Sequence, residues 1–104
     1  MLRAPLGSEE ERSVKAFVIH RNGEQLCTAG IGTDGVLSAM VNWVSREGKS
    51  DFHMDVGGLD SATDEHVRWD LPDIDIGDEI TIRLVETDAI DQPAQRYRRG
   101  EAPG

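Results

Sequence analysis

The chain has 104 residues and a mass of 11.4 kDa, which is the size of a single domain. Apolar residues make up 38% of it and charged residues 30%, so one small core can form without a metal ion or a disulfide. No apolar run of about 18 residues occurs, and residues 1–12 contain no apolar signal segment. We therefore expect neither a transmembrane helix nor a secretory signal. The single cysteine, Cys27, cannot form an internal disulfide, which favours a cytoplasmic location.

The negative charge is concentrated in the second half of the chain. The net charge is −9 overall, but residues 51–91 contain thirteen acidic residues against two arginines, whereas residues 1–50 are neutral. A field of this sign repels phosphate groups, so neither nucleic acid nor an anionic membrane is an expected partner. The three arginines after residue 91 are too few to change that expectation.

The first structural signal along the chain is a β-hairpin. Residues 1–12 are polar without apolar periodicity, which predicts a flexible leader. Residues 14–19 are apolar and β-branched, and residues 26–31 form a similar segment. Asn22-Gly23 between them accepts the positive φ angles of a type I′ turn, so the two segments are predicted to pair.

Residues 36–46 can be interpreted as a strand or as a helix. A strand places Leu37, Val41 and Trp43 on one face. A helix would give an α+β fold, because four apolar residues fall at helical spacing, namely Leu37, Met40, Val41 and Val44. The β-branched and aromatic content favours the strand.

Alternating apolar residues predict three further strands, over residues 52–57, 66–71 and 80–84. Gly57-Gly58 is expected to end the first of these, and residues 91–104 are expected to form a disordered tail. About six strands with turns roughly every ten residues are typical of a small antiparallel sandwich or barrel. The predicted fold is therefore an all-β domain over residues 13–90.

The apolar faces also predict a core and a surface patch. Trp43 and Trp69 are predicted to be core residues, together with Phe17, Val67 and Ile82. The second face of residues 36–46 is unusually apolar. It predicts either a central strand buried on both sides or a homodimer contact through Val36, Met40 and Val44.

Motifs for catalysis or for a cofactor are lacking. His53 and His66 would reach Asp55 if their strands pair, and zinc accepts such ligands, but surface histidines are the favoured interpretation. Counted from Asp73, the EF-hand spacing fails, because a calcium loop needs glycine at position six, where Asp78 stands. Nucleophile elbows and phosphate-binding loops do not occur, so we predict no enzyme and no cofactor.

The charge distribution predicts a non-enzymatic acidic domain that binds a basic protein, as a small inhibitor or immunity-type protein does. The alternative is a β-sandwich that holds a metal ion or a carbohydrate at its acidic loops. The residues predicted to meet a partner are the acids of the second half: Asp55, Asp60, Asp64, Glu65, Asp73, Asp75, Asp78 and Glu79.

Overall fold

The computed structural model describes residues 13–32 and 34–98. These residues form seven strands and no helix, so the all-β prediction is confirmed and the helix alternative for residues 36–46 is wrong. The described residues include no helix that is long and apolar enough to cross a membrane. The predicted leader lies outside the described residues. The strands are β1 (Val14–Arg21), β2 (Glu24–Gly30), β3 (Gly35–Arg46), β4 (Lys49–Asp60), β5 (Glu65–Trp69), β6 (Ile80–Thr87) and β7 (Gln95–Arg98).

Two antiparallel sheets pack together as a small β-sandwich. One sheet has the strand order β2-β1-β6, and the other has the order β3-β4-β5-β7. The β1–β2 hairpin is confirmed, since Asn22 and Gly23 have φ angles of 54° and 85°. Glu47 and Gly48, with φ angles of 52° and 79°, form the equivalent turn between β3 and β4.

Gly57-Gly58 does not end a strand, contrary to the sequence prediction. β4 continues through both glycines to Asp60 in unbroken register with β3. A Cβ atom at Gly58 would meet the carbonyl oxygen of Val36, and one at Gly57 would lie 2.5 Å from the carbonyl oxygen of Val67. The glycines therefore allow neighbouring backbones to approach closely within the sheet.

Residues 91–98 are ordered, so this part of the predicted disordered tail is wrong. The Asp91 backbone N–H donates to the Thr28 carbonyl (2.9 Å), and the Ala94 N–H donates to the Arg68 carbonyl (2.8 Å). β7 then pairs antiparallel with β5. The order comes from pairing with a distant strand, which local composition does not reveal. Residues 99–104 lie outside the described residues.

The core lies between β1 and β2 on one side and β4 and β5 on the other. Trp69 and Val67 are buried as predicted, and Ile19 and Val56 are fully buried. Phe17 is half-buried and packs against this cluster.

Two predicted core residues are exposed, which corrects the sequence prediction. Ile82 is 40% exposed and Trp43 is 65% exposed, although the register places Ile82 opposite the buried Ile19. Ile82 lies on an edge strand. Trp43 lies near the turn of the β3–β4 hairpin, whose twelve-residue strands are longer than the strands of the opposite sheet. Alternation identifies the inner face of a strand, but it does not show how far the other sheet covers that face.

Candidate functional site

The connection between β5 and β6, residues 70–79, brings five acidic residues onto one segment; we call it the acidic loop. Its two isoleucines point in opposite directions. Ile74 belongs to the buried core, whereas Ile76 is 79% exposed. The loop is therefore fastened to the core by Ile74 and by the partly buried Leu71, whereas Ile76 is exposed between acidic residues of the loop. The acids are Asp70, Asp73, Asp75, Asp78 and Glu79.

Asn22 in the β1–β2 turn holds the end of the acidic loop. Its backbone N–H donates to the Glu79 carbonyl (2.8 Å), and its side-chain oxygen accepts the Glu79 N–H (2.9 Å). Its side-chain amide donates to Asp78 Oδ1 (2.9 Å). Arg21 beside it donates to the Asp73 carbonyl (2.8 Å). These bonds fix the loop to the β1–β2 turn.

Asp78 also organises the loop from within. Its Oδ2 accepts the backbone N–H of Asp75 (2.8 Å). The hydrogen bond from the Asn22 side chain, the bond from the Asp75 backbone and the charge of Arg21 lower the pKa of Asp78. The carboxylate therefore stays ionised below its ordinary titration range.

Asp60, Asp64 and Glu65 are not part of this cluster. The acidic loop contacts Asn22, which precedes β2, whereas Asp60 lies near Gly32, which follows β2. The two groups of acids therefore occupy opposite ends of a seven-residue strand, about 20 Å apart. The predicted partner-binding acids do not gather at one end of the sandwich.

Asp60 and Glu65 are held by neighbouring groups of the fold. Asp60 is 8% exposed, and its Oδ1 accepts the Ala62 N–H (3.1 Å). Glu65 pairs with Arg96 at 2.9 Å, and the hydrogen bond from that guanidinium is the main reason why the pKa of Glu65 is lowered. Asp60 has little surface to offer a partner, and much of the Glu65 charge is balanced locally.

Asp55 is the centre of a polar cluster on the outer face of the four-stranded sheet. Its Oδ1 lies 3.1 Å from Arg68 Nη2, and its Oδ2 accepts a hydrogen bond from Asn42 (2.9 Å) and lies 3.4 Å from His53 Nε2. The predicted convergence with His66 does not occur, because His66 pairs with Leu59 in the strand register. In the described residues, no group of three or more His, Cys, Asp or Glu side chains could hold a metal ion.

A groove of about 480 Å³ runs along the same outer face. His66 stacks on Tyr97 on one side, with ring centroids 5.3 Å apart, and Val36 and Met40 line the other side. Gly57 contributes no side chain, which leaves the space between them open. The groove offers rings and a carboxylate–guanidinium pair to a ligand.

Cys27 is an unreactive thiol in the folded protein. The residue is 6% exposed in the core. Burial, reinforced by the negative charge of Asp91, raises its pKa to about 11. Since the thiolate is the reactive form, this residue does not supply a nucleophile at neutral pH.

Sequence reasoning missed the two features that distinguish the acidic loop, namely the exposure of Ile76 and the clamp at Asn22. Ile74 and Ile76 flank Asp75 in the sequence, and alternation places residues two positions apart on the same face, so the pattern did not indicate that one is buried and the other exposed. Comparisons with known proteins give no matching family model, no matching curated protein and no matching solved structure.

Proposed function

We propose that the chain is a non-enzymatic acidic domain that binds a basic protein through the acidic loop. The observation that carries the proposal is Ile76, a 79% exposed apolar side chain that lies between Asp75 and Asp78 in a hydrogen-bonded loop. Binding interfaces commonly combine a central apolar anchor with a charged rim. We place the domain in the cytoplasm, where a single unpaired cysteine is ordinary.

The fixed geometry of the loop favours binding. Ordering a flexible loop on association reduces affinity, and a loop already held in place avoids that loss. Asn22 and Arg21 provide the hydrogen bonds that hold it. The carboxylates then supply a field of one sign, which accelerates encounter with a positive surface.

The test is binding kinetics with the partner that the wild-type domain captures from its native host. We expect Asp73→Lys combined with Asp75→Lys to slow association about tenfold at low salt. The difference should shrink at high salt, where exposed charges are screened. Neither carboxylate is among the groups that hold the loop to Asn22, so circular dichroism should show an intact fold. Asp75 Oδ1 accepts the N–H of the adjacent Ile76 (2.7 Å), so Asp73→Lys alone, which leaves this bond in place, should also slow association.

A matched variant changes the same charge elsewhere. Glu86→Lys combined with Asp88→Lys alters the net charge equally at the other end of β6, about 25 Å away, and should slow association much less. Equal slowing by both pairs would mean that net charge alone acts, which would refute a site at the acidic loop.

The apolar anchor is tested separately. Ile76→Ala should speed dissociation about tenfold, as expected for a central anchor. Leu84→Ala removes another highly exposed apolar side chain, 73% exposed on β6, and should leave dissociation unchanged. If Ile76→Ala is also silent, the loop does not bind in the proposed way.

A sugar-like ligand in the groove is the second candidate function. The stacked His66 and Tyr97 rings and the nearby Asp55–Arg68 pair are the observations that favour it. Titration with a panel of oligosaccharides, followed by amide chemical shifts, should perturb residues of β5 and β7, and Tyr97→Ala should abolish the effect. Shifts confined to the acidic loop on addition of calcium would instead favour a metal ion.

A further inference from the structure

The outer edge of β3 is a long apolar strand edge that none of the described residues protects. β3 stands at one end of its sheet, so in the described part of the chain no strand pairs with that edge. Residues 36–45 contain no charge and no proline, and the register with β4 has no bulge over all twelve residues. Val36, Met40, Val41 and Trp43 are each at least half exposed. Strand edges of this kind pair with other chains unless something covers them.

The other edges carry recognisable protection. At β2, Asp91 bonds to both the N–H and the carbonyl of Thr28. β6 carries charged residues, including Arg83 and Glu86, and β7 is only four residues long, two of them arginines. Charge, short length and cover are the devices that blunt an edge. β3 is the described edge without any of them.

We propose that β3 pairs antiparallel with β3 of a second copy, with Met40 at the two-fold axis. We take the two-fold axis to be perpendicular to the joint sheet. The inner faces of the two copies then lie on the same side only when one residue lies directly opposite its own copy, because directly opposed residues of an antiparallel pair point to the same face. Centring on Met40 places Val36 opposite Val44 and Leu37 opposite Trp43. Ala39 then lies opposite Val41, so that nearly every apolar side chain of β3 meets another.

Charge complementarity at the strand ends supports a second copy as the occupant. In the same register, Asp34 of each copy lies opposite Arg46 of the other, at both ends of the joint strand pair. Opposite charges in directly opposed positions stabilise an antiparallel pair. Moving the axis to Val41 places Val36 opposite Arg46, and moving it to Ala39 places Asp34 opposite Val44. Only the Met40 register satisfies both the apolar and the charged residues.

Cross-linking tests the register. Directly opposed residues in an antiparallel pair have Cα atoms about 4.5–5.5 Å apart, so Met40→Cys should form a disulfide-linked dimer on mild oxidation. Ser38→Cys is the matched control, because the two copies of this residue would lie about 13 Å apart, too far for a disulfide. Cys27 is buried and remains in all variants. Cross-linking through Ser38→Cys but not Met40→Cys would overturn the register.

Sedimentation equilibrium of the full chain tests the association itself. We expect a monomer–dimer equilibrium between micromolar and millimolar concentrations. Arg46→Glu should weaken the dimer about tenfold, since two attractive pairs become repulsive, and Asp34→Arg in the same molecule should restore it. A chain that stays monomeric throughout would overturn the proposal, because the edge would then be covered from within the chain or be tolerated bare. A dimer indifferent to both charge changes would overturn it as well.

Discussion

Trp69 and Trp43 provide a direct test of how far the two sheets cover each other. Both tryptophans lie on the inner face of their strands, but Trp69 is 4% exposed and Trp43 is 65% exposed. Trp69 Nε1–H also donates to the carbonyl of Asp91 (2.9 Å). Trp69 therefore joins the core to the segment that leads into β7, whereas the Trp43 side chain buries little apolar surface.

The two tryptophans should differ severalfold in how much their substitution lowers the free energy of unfolding. Trp69→Ala should lower the free energy of unfolding by about 3–5 kcal/mol, the usual cost of removing a large buried ring. Trp69→Phe retains most of the ring but leaves the Asp91 carbonyl without its donor, which should cost about 1 kcal/mol beyond the change in packing. Trp43→Ala should cost less than about 1 kcal/mol, as for most exposed positions.

The assay is urea unfolding followed by far-ultraviolet circular dichroism, which reads all variants alike when a tryptophan is removed. A low protein concentration keeps any association through β3 from contributing. The slope of free energy against urea should stay constant, so that midpoint shifts report stability. If Trp69→Ala cost less than about 1 kcal/mol, or Trp43→Ala cost as much as Trp69→Ala, the assignment of the core would be wrong.

Three further predictions concern single residues. Gly58→Ala should destabilise the fold by about 2 kcal/mol or more, because the new Cβ meets the Val36 carbonyl. Ser38→Ala is the control and should change the free energy of unfolding very little in the same assay. Gly23→Ala is unsuitable as a control, because Gly23 has a positive φ angle. The lowered pKa of Asp78 stabilises the fold above the ordinary aspartate pKa of 3.8, and this stabilisation is lost as the pH falls through the lowered value. Melting temperatures of wild type and Asp78→Asn should therefore differ at pH 6 and converge in stronger acid; a constant difference would contradict the electrostatic explanation. Cys27 should react with a thiol reagent only as fast as the protein opens, since burial raises its pKa to about 11; rapid labelling of the native protein would refute its burial.

Local patterns predicted the strands well because hairpin turns and apolar alternation depend on residues that are neighbours in the sequence. Asn22-Gly23 fixed the first hairpin, and the β-branched segment at residues 36–46 is β3. The failures have one physical origin, which is that they depend on residues far away in sequence. β7 is ordered by pairing with β5, and Gly57-Gly58 remain in a strand because neighbouring backbones come close. Neither the β5–β7 pairing nor the close backbone approach at the two glycines can be inferred from the composition of the segment itself.

The candidate site was predicted only in part, for a related reason. Counting acids identified the charged half of the chain, but the fold separates them. Asp60 is buried and Glu65 is paired with Arg96, so charge reversal at Asp60 would damage the turn rather than test a surface. The sequence also gave no reason to distinguish Ile76 from Ile74. Burial of one and exposure of the other depend on how the loop packs against the core.

Ionic strength separates the two proposed interactions, because they respond to salt in opposite directions. A basic partner is attracted by the acidic loop, so added salt should slow its association. Two copies of the chain, each with a net charge of −9, repel one another, while the centre of β3 is uncharged. Screening reduces this repulsion between whole molecules, and apolar pairing is not weakened by moderate salt. The two Asp34–Arg46 pairs at the strand ends are screened as well, but exposed pairs of this kind contribute little, so the loss is smaller than the gain. We therefore expect self-association to strengthen as partner binding slows. A dimer that dissociates on addition of salt would instead place the contact between copies at the charged surfaces, away from the apolar centre of β3.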